Sequence, residues 1–516
     1  MHVGIDVGGT NTVAVLAEGI RILAWGKVPT SEDTDVVVAA ALHRVLREGG
    51  RAPDQVRGVS IGTTHFTNAV LQASGLARTA AIRLSLPAAR GVPPLTGWPA
   101  PLAAALGNHA YLCHGGHELD GRVISPLDPD ELRRVADDLA RHDIGSVAIT
   151  SIFSPLTADV ELAAADVLRA ELPHLRVSLS HELGRIGLLE RENAAILDAA
   201  LFPVAERFTA ACEGALTASG VTAPLHLCRH DGTLADPEEV RRHPVTALGV
   251  GPTNSLRGAG LLSGLDDCVV VDIGGTSTDL GVLVDGHPRP AAADVVVAGI
   301  RTNLRMPDVV SVPLGGGSVI TPDPLAVGPA SVGRDLTRRA LVFGGSTLTA
   351  TDVAVALGQA ELGDRSLARG LPRDLARAVR ELIVGRVAEL AASLQTARTP
   401  LPMVLVGGGA ILLPDAVPGF AEVVRPEHFE VANAVGASLT QVSGEVDRLY
   451  VGAEARRRTS LDAARDEAIA GAVAAGADPA TVRVVEMEEL PIAYLPGDAV
   501  RVRVRAVGDL LLAERV

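Results

Sequence analysis

Two stretches of this chain repeat one order of residues, and that order suits the capture of a phosphate chain. Val3-Gly4-Ile5-Asp6-Val7-Gly8-Gly9-Thr10-Asn11-Thr12 is matched by Val269-Val270-Val271-Asp272-Ile273-Gly274-Gly275-Thr276-Ser277-Thr278. In each, an apolar run ends at an Asp, two glycines follow, and hydroxyl residues come next. Glycine permits a tight turn whose backbone N–H groups point into one concavity, and such a concavity holds an anion. The hydroxyls of Thr10, Thr276 and Ser277 add donors for phosphate oxygens, and Asn11 lies in the same turn. A carboxylate tolerates a neighbouring polyphosphate only with a cation between them. Asp6 and Asp272 are therefore expected to hold Mg²⁺, through water, because Mg²⁺ keeps several of its waters. A single Asp-x-Gly-Gly is equally a plain hairpin turn. Two copies 266 positions apart, each after a buried apolar run, predict a duplicated domain whose turns grip one nucleotide from both sides.

Other residues could join this chemistry. Gly407-Gly408-Gly409 follows the apolar run Val404–Val406 and is expected to lie against the adenosine. Gly315 and Gly316, within Leu314–Ser318, are expected to close over phosphates or substrate. Asp231 follows the short apolar run Leu225–Cys228. It reads as a general base at a strand end facing the cleft, with an Asx-type turn as the equal alternative. Cys113-His114-Gly115-Gly116-His117 offers metal-binding residue types but no fourth partner, so it reads as a polar turn lining the cleft. His181-Glu182 and Glu190–Asn193 could orient a carboxylate-bearing substrate but read as charged helix starts, apart from Arg191 and Asn193, which match a position in a known family. Neither G-x-G-x-x-G nor G-x-x-x-x-G-K-[ST] stands in a strand-to-helix context, which argues against Rossmann and P-loop sites.

The elements that must carry these residues alternate between strand and helix, which predicts an α/β class. Val3–Val7 and Thr12–Leu16 read as a hairpin, as do Cys268–Ile273 and Leu280–Val284. Val56–Ile61, Gly145–Phe153 and Met403–Val406 read as strands. Helices are expected over 35–48, 157–172, 190–218, 373–397 and 428–447. From Thr481 the chain alternates β-branched and charged residues, as a half-exposed strand does. The predicted units are 1–180, 181–455 and 456–516, with breaks near 173–190 and 450–460.

The 516 residues exceed one ordinary domain, and 47% hydrophobic content supports large cores. Aromatics make up only 2%, so Ala, Val, Leu and Ile must build those cores. The net charge of −15 argues against a nucleic-acid surface, so an anionic ligand must be captured locally. Four cysteines without CxxC spacing fit a reducing compartment. No secretory leader or membrane span is visible at the N-terminus or elsewhere, so the cytoplasm is the expected location.

Taken together and in order, these motifs resemble the hydantoinase A/5-oxoprolinase family of the actin/Hsp70/sugar-kinase ATPase superfamily. The matching stretches are Asp6–Thr12, Gly62–Ala69, Gly251–Ser255, Asp272–Asp279, Leu314–Ser318, Val327–Ser331, Thr349–Asp352 and Gly407–Gly409. The resemblance implies duplicated actin-like (ribonuclease H-like) domains with a nucleotide cleft between them. It implies ATP-dependent ring opening of a cyclic amide or imide, such as a hydantoin or 5-oxoproline, by phosphorylation of the amide oxygen. It places substrate near Thr64, Asn68 and Asn254, and it implies a hydantoinase B-type second subunit in a homo- or hetero-oligomer. The family's first motif ends in Asp where this chain has Val13, while the second keeps Asp279. Rival readings are a small-molecule kinase of the same superfamily and a nucleotide-dependent switch or assembly protein. A dehydratase activator with an iron–sulfur cluster finds little support in the cysteine spacing.

Overall fold

The computed structural model describes residues 1–292, 294–396, 399–450, 454–492 and 499–511, the side chains of 454–460 excepted. The first apolar run forms the strand His2–Val7, antiparallel to Asn11–Glu18 and parallel to Gly58–Thr63. Arg21–Pro29 extends the sheet beyond Asn11–Glu18, and Leu225–Cys228 extends it beyond Gly58–Thr63. All six residues of His2–Val7 are buried. The strand therefore reads as a continuous apolar run, as expected when both sheet faces are covered. Thr34–Glu48 and the long helix Leu188–Ala218 cover one face with small aliphatic side chains, Ala194 to Ala205 among them. Ala432–Ala437 covers the other, its Ala434 carbonyl lying where a side chain at Gly4 would project.

The second half repeats this plan. Cys268–Ile273 is antiparallel to Thr278–Val284 and parallel to Met403–Val406; Val309–Val312 and Val423–Val424 add at the two edges. Both sheets run third–second–first–fourth–fifth in chain order. The duplicated, actin-like α/β architecture is thus present in the strand order itself. Register carries the correspondence further. One row across the first sheet reads Gly62, Asp6, Val13, Lys27; its counterpart reads Val406, Asp272, Asp279, Ser311.

A parallel four-stranded sheet, ordered His109–His114, Thr79–Leu86, Ser146–Ser151, Arg176–Leu179, is inserted in the first half. Its helix Pro129–Arg141 starts at Asp128, whose carboxylate accepts from the Asp130 and Glu131 amides, with Pro129 at the first position. The C-terminal unit is a three-stranded antiparallel sheet, Gln441–Tyr450, Val500–Asp509, Arg483–Pro491, packed on the helix Glu454–Ala474.

Two expectations need correction. The segment 428–447 is not one helix: Phe429–Val431 and Ala432–Ala437 are short helical turns, and Gln441–Tyr450 is a strand. Its buried positions Val442, Gly444, Val446 and Leu449 follow the near period of two that marks a strand. The expected domain limits also cut through sheets. Leu225–Cys228 belongs to the first sheet, and the C-terminal sheet begins at Gln441. We propose instead that the first unit runs to residue 247 and the third begins at 441. Residues 451–453 of the expected break near 450–460 lie outside the described residues. No helix among the described residues is long and apolar enough to cross a membrane.

Candidate functional site

Each hairpin turn follows the first strand of its sheet, at the end where parallel α/β sheets open a crevice. The two turns face one cavity of about 850 Å³. Gly8, Gly9, Thr10 and Asn11 line it from the first half, and Gly274, Gly275, Thr276 and Ser277 line it from the second. The turns are closed from within: the Gly8 amide donates to the Asn11 carbonyl at 3.2 Å, and Gly274 donates to Ser277 at 2.9 Å. Gly407, Gly408 and Gly409 complete the wall, with Gly407 at φ +82° and crowded against Asp272 and Ile273. Any side chain at Gly407 would strike the Asp272 carboxylate, so only glycine fits. Gly316 also lines the cavity. Gly315 sits behind it, and a Cβ there would lie 2.7 Å from the Gly274–Thr276 backbone. Gly316 and Gly317 donate to the Gly274 and Gly275 carbonyls at 3.0 and 2.8 Å, so this loop braces the second turn.

Asp6 and Asp272 stand at the floor of the cavity. Asp6 is 4% exposed, and its carboxyl is pushed up to about 7 by burial and by the Asp272 charge. Burial raises Asp272 to about 6, with Asp279 adding to this while the Ser255 hydrogen bond and Lys27 oppose it. Asp6 Oδ1 is enclosed and has no hydrogen-bond partner among the described residues. Crowded carboxylates with an unsatisfied oxygen are what a divalent cation relieves, so these residues fit Mg²⁺.

Each acid is tethered by a helical segment, Asp6 by one from the opposite half. Asn433, on the last helical turn of the second half, donates to Asp6 Oδ2 at 2.6 Å. Ser255, on the helix Val250–Ser263 that leaves the first sheet, donates to Asp272 Oδ2 at 2.5 Å. The two helical segments touch backbone to backbone. A Cβ at Gly258 would strike the Ala432 carbonyl, and one at Gly436 would strike the Asn254 carbonyl.

Thr64 and Asn68 line the cavity, with Asn68 Nδ2 donating to Thr64 Oγ1 at 3.4 Å. Asn254 does not. It is 1% exposed and lies over Gly62, while its neighbours Gly251, Pro252 and Ser255 reach the cavity. Asp231 is also outside, correcting the general-base reading. It accepts from Thr233 Oγ1 at 2.6 Å and Ser443 Oγ at 3.1 Å, and Arg505 lies 3.3 Å away. Burial pushes its carboxyl up, but Arg505 and Arg229 outweigh this and hold it below the usual range. The Asx-type turn is the structure it makes. His114 and His117 are likewise absent from the cavity wall: His114 bonds Glu131, and His117 is buried near Asp159. Arg191 is fully buried as an anchor for the Ser151, Arg185 and Ile186 carbonyls, and Asn193 bonds Trp98 and Arg301. Neither reaches the cleft.

Sequence reading passed over five cavity residues that carry charge: Lys27, Arg334, Asp335, Arg338 and Glu430. Lys27 was detectable only through strand register, since it lies two strands from Asp6. Burial pushes its amine down, against Glu430 and Asp272. Arg334 and Arg338 sit in an Arg-rich turn, 334–339, which was a visible cationic signal. Asp279 occupies the row position that Val13 holds in the first half, so one half offers a second carboxylate and the other a methyl surface.

Residues 2–172 match the hydantoinase/oxoprolinase N-terminal region, and residues 191–397 match the hydantoinase/oxoprolinase domain that follows it. The chain belongs to the hydantoinase/oxoprolinase family. Among curated relatives it is 27% identical over 410 residues to the alpha subunit of caprolactamase from Pseudomonas jessenii, covering 75% of this chain and 58% of that one. It is 27% identical over 252 residues to the gamma subunit of acetophenone carboxylase from Aromatoleum aromaticum, covering 46% of this chain and 34% of that one. The chain thus spans between a third and three-fifths of these family members. Two solved structures share the fold at 19% identity: ATP-dependent caprolactamase from Pseudomonas jessenii, with a TM-score of 0.80, and nucleotide-free acetone carboxylase, with 0.72. They are matched over 100% and 99% of this chain, and 88% of theirs.

Proposed function

We propose that this chain is the ATP-handling subunit of an enzyme that opens a cyclic amide by phosphorylating its carbonyl oxygen. The observation that carries the reading is the convergence of both Asp-x-Gly-Gly-Thr turns on one cavity, with two raised acids at its floor. The backbone amides and hydroxyls of Gly8–Asn11 and Gly274–Ser277 would hold the phosphates. Lys27, Arg334 and Arg338 would balance their charge, and Gly407–Gly409 with Leu362 and Ile411 would face the adenosine. Mg²⁺ held at Asp6 and Asp272 would shield the negative charge of the phosphates.

A lactam carbonyl is a poor electrophile. Transfer of the γ-phosphoryl to its oxygen, with ADP leaving, gives an imidate whose carbon is open to water. Water adds there, the ring C–N bond breaks, and the nitrogen takes a proton. The resulting acyl phosphate yields carboxylate and phosphate with a second water. Thr64 and Asn68, on the first-half wall, are the groups placed to orient the ring. The named relatives, a caprolactamase subunit and a carboxylase subunit, support a subunit role, and the first supports a lactam-type substrate; a hydantoinase B-type subunit is the partner we propose. Four free, buried cysteines support a cytoplasmic setting.

A phosphate-release assay tests the proposal, using caprolactam, hydantoin, N-methylhydantoin and 5-oxoproline, each with and without a B-type subunit. Stimulated ATP turnover with at least one ring is expected. Turnover indifferent to every ring would refute ring opening and favour a nucleotide switch.

A further inference from the structure

A second cavity, of about 430 Å³, lies between the turn at His181–Arg185, the segment 229–246 and the C-terminal strand Gln441–Tyr450. It shares no wall residue with the cleft. Most charges on its wall are matched by neighbours: Arg305 pairs with Glu445 and Glu486, Arg185 with Asp447, and Arg448 with Glu467. Of the acids near its mouth, Glu239 pairs with Arg242, while Glu182 lies 3.9 Å from His243, whose pKa burial lowers.

Two cationic groups are held differently. The Arg229 guanidinium makes no hydrogen bond or close ion pair among the described residues, its Nε is enclosed, and its charge acts at longer range on Asp231, which does not line the chamber. The His181 ring is aimed from behind: its Nδ1 lies 2.7 Å from Oε2 of Glu161, a carboxylate with no exposed surface. Ser180 Oγ and the Ser151 amide fix the other Glu161 oxygen at 2.6 and 2.8 Å. A carboxylate on one ring nitrogen sets the tautomer and leaves Nε2 as the working face. Burial lowers the His181 pKa, but the Glu161 bond and charge outweigh it, so the imidazolium is favoured. Beside them His230 is 6% exposed, and its Nδ1 lacks a partner.

A guanidinium without a hydrogen-bonded partner and a carboxylate-backed imidazole in one small polar chamber suit an anion with paired oxygens. We infer that this cavity is a second ligand site, taking a small oxyanion, carboxylate or phosphate, against Arg229 and the Nε2 of His181. It stands apart from the cleft and does not depend on what the cleft binds.

The test uses the full chain, titrated separately with succinate and inorganic phosphate, with and without MgADP. Binding is read by calorimetry and by NMR of labelled histidine rings, the His181 signal being assigned by its loss in His181→Gln. The expected result is saturable binding of at least one anion, unchanged by MgADP for succinate, with movement of the His181 signal. Arg229→Gln is expected to weaken binding roughly tenfold or more, as loss of a charge-assisted contact does, and Arg229→Lys to weaken it less. No saturation below about 50 mM for either anion would overturn the inference, as would wild-type affinity in both Arg229→Gln and His181→Gln.

Discussion

Replacing Asp6 with Asn probes the electrostatic strain at the cleft floor directly. In the metal-free protein the Asp6 carboxyl titrates near 7 against an ordinary 3.8. An acid raised by folding binds its proton more tightly in the folded state. Folding is therefore disfavoured progressively as pH climbs from 3.8 to 7, and the full penalty is present above that window. At about 1.36 kcal/mol per pKa unit, the penalty reaches about 4 kcal/mol at pH 8. Asp6→Asn removes the charge and keeps an oxygen that can accept from Asn433 Nδ2. In EDTA at pH 8, urea unfolding followed by circular dichroism is expected to show the variant more stable by about 2–4 kcal/mol. The gap should narrow toward pH 5. With Mg²⁺ and ATP the order should reverse, because only the wild type gains stability from the bound ligand. A variant less stable than the wild type at pH 8 in EDTA would refute the reasoning, as would wild-type stability that is flat between pH 5 and 8.

Gly258→Ala and Gly436→Ala each drive a methyl into a carbonyl of the opposing helical segment. Each should lower stability by about 3 kcal/mol or more, read as a fall in the urea midpoint. Asp231→Asn breaks the buried pair with Arg505 and should lower stability by roughly 3 kcal/mol at neutral pH while leaving ATP affinity unchanged. Because the Asp231 pKa is depressed by folding, its contribution is present above the ordinary carboxylate range and lost as pH falls, so the variant should show a flatter acid limb. Lys27→Met should weaken ATP binding about tenfold in a fluorescent-nucleotide displacement assay, as loss of one phosphate-facing cation would. Wild-type affinity in that variant would remove Lys27 from the site.

Much of the fold was readable because the relevant signals are local. The duplicated Asp-x-Gly-Gly-Thr turns announce two hairpins, and the structure places both on one cavity. Cys268–Ile273 and Met403–Val406 form strands over the very residues expected. What escaped was set by distance in sequence. Asn433 reaches Asp6 across 427 positions, and no local pattern announces that pairing. Lys27 enters through a strand register that one-residue slippage would reverse. Asp231 misled because a carboxylate after a strand suits both a base and a turn, and only Arg505, from the C-terminal sheet, decides between them. The segment 428–447 misled for a related reason: its small residues Gly436 and Ala437 belong to a backbone contact between halves, and the strand after them alternates only from Val442.

The tether on Asp6 carries a mechanical consequence. Asp6 is steadied by Asn433 of the opposite lobe, whereas Ser255 and Asp272 belong to one lobe. A hinge that parted the lobes would strip Asp6 of that hydrogen bond, but it would also admit water and draw Asp6 away from Asp272, removing the burial and the charge that hold its proton affinity up. Opening of the lobes and release of a proton are thereby linked, so product escape from a spread molecule would deliver acidity to the surrounding buffer.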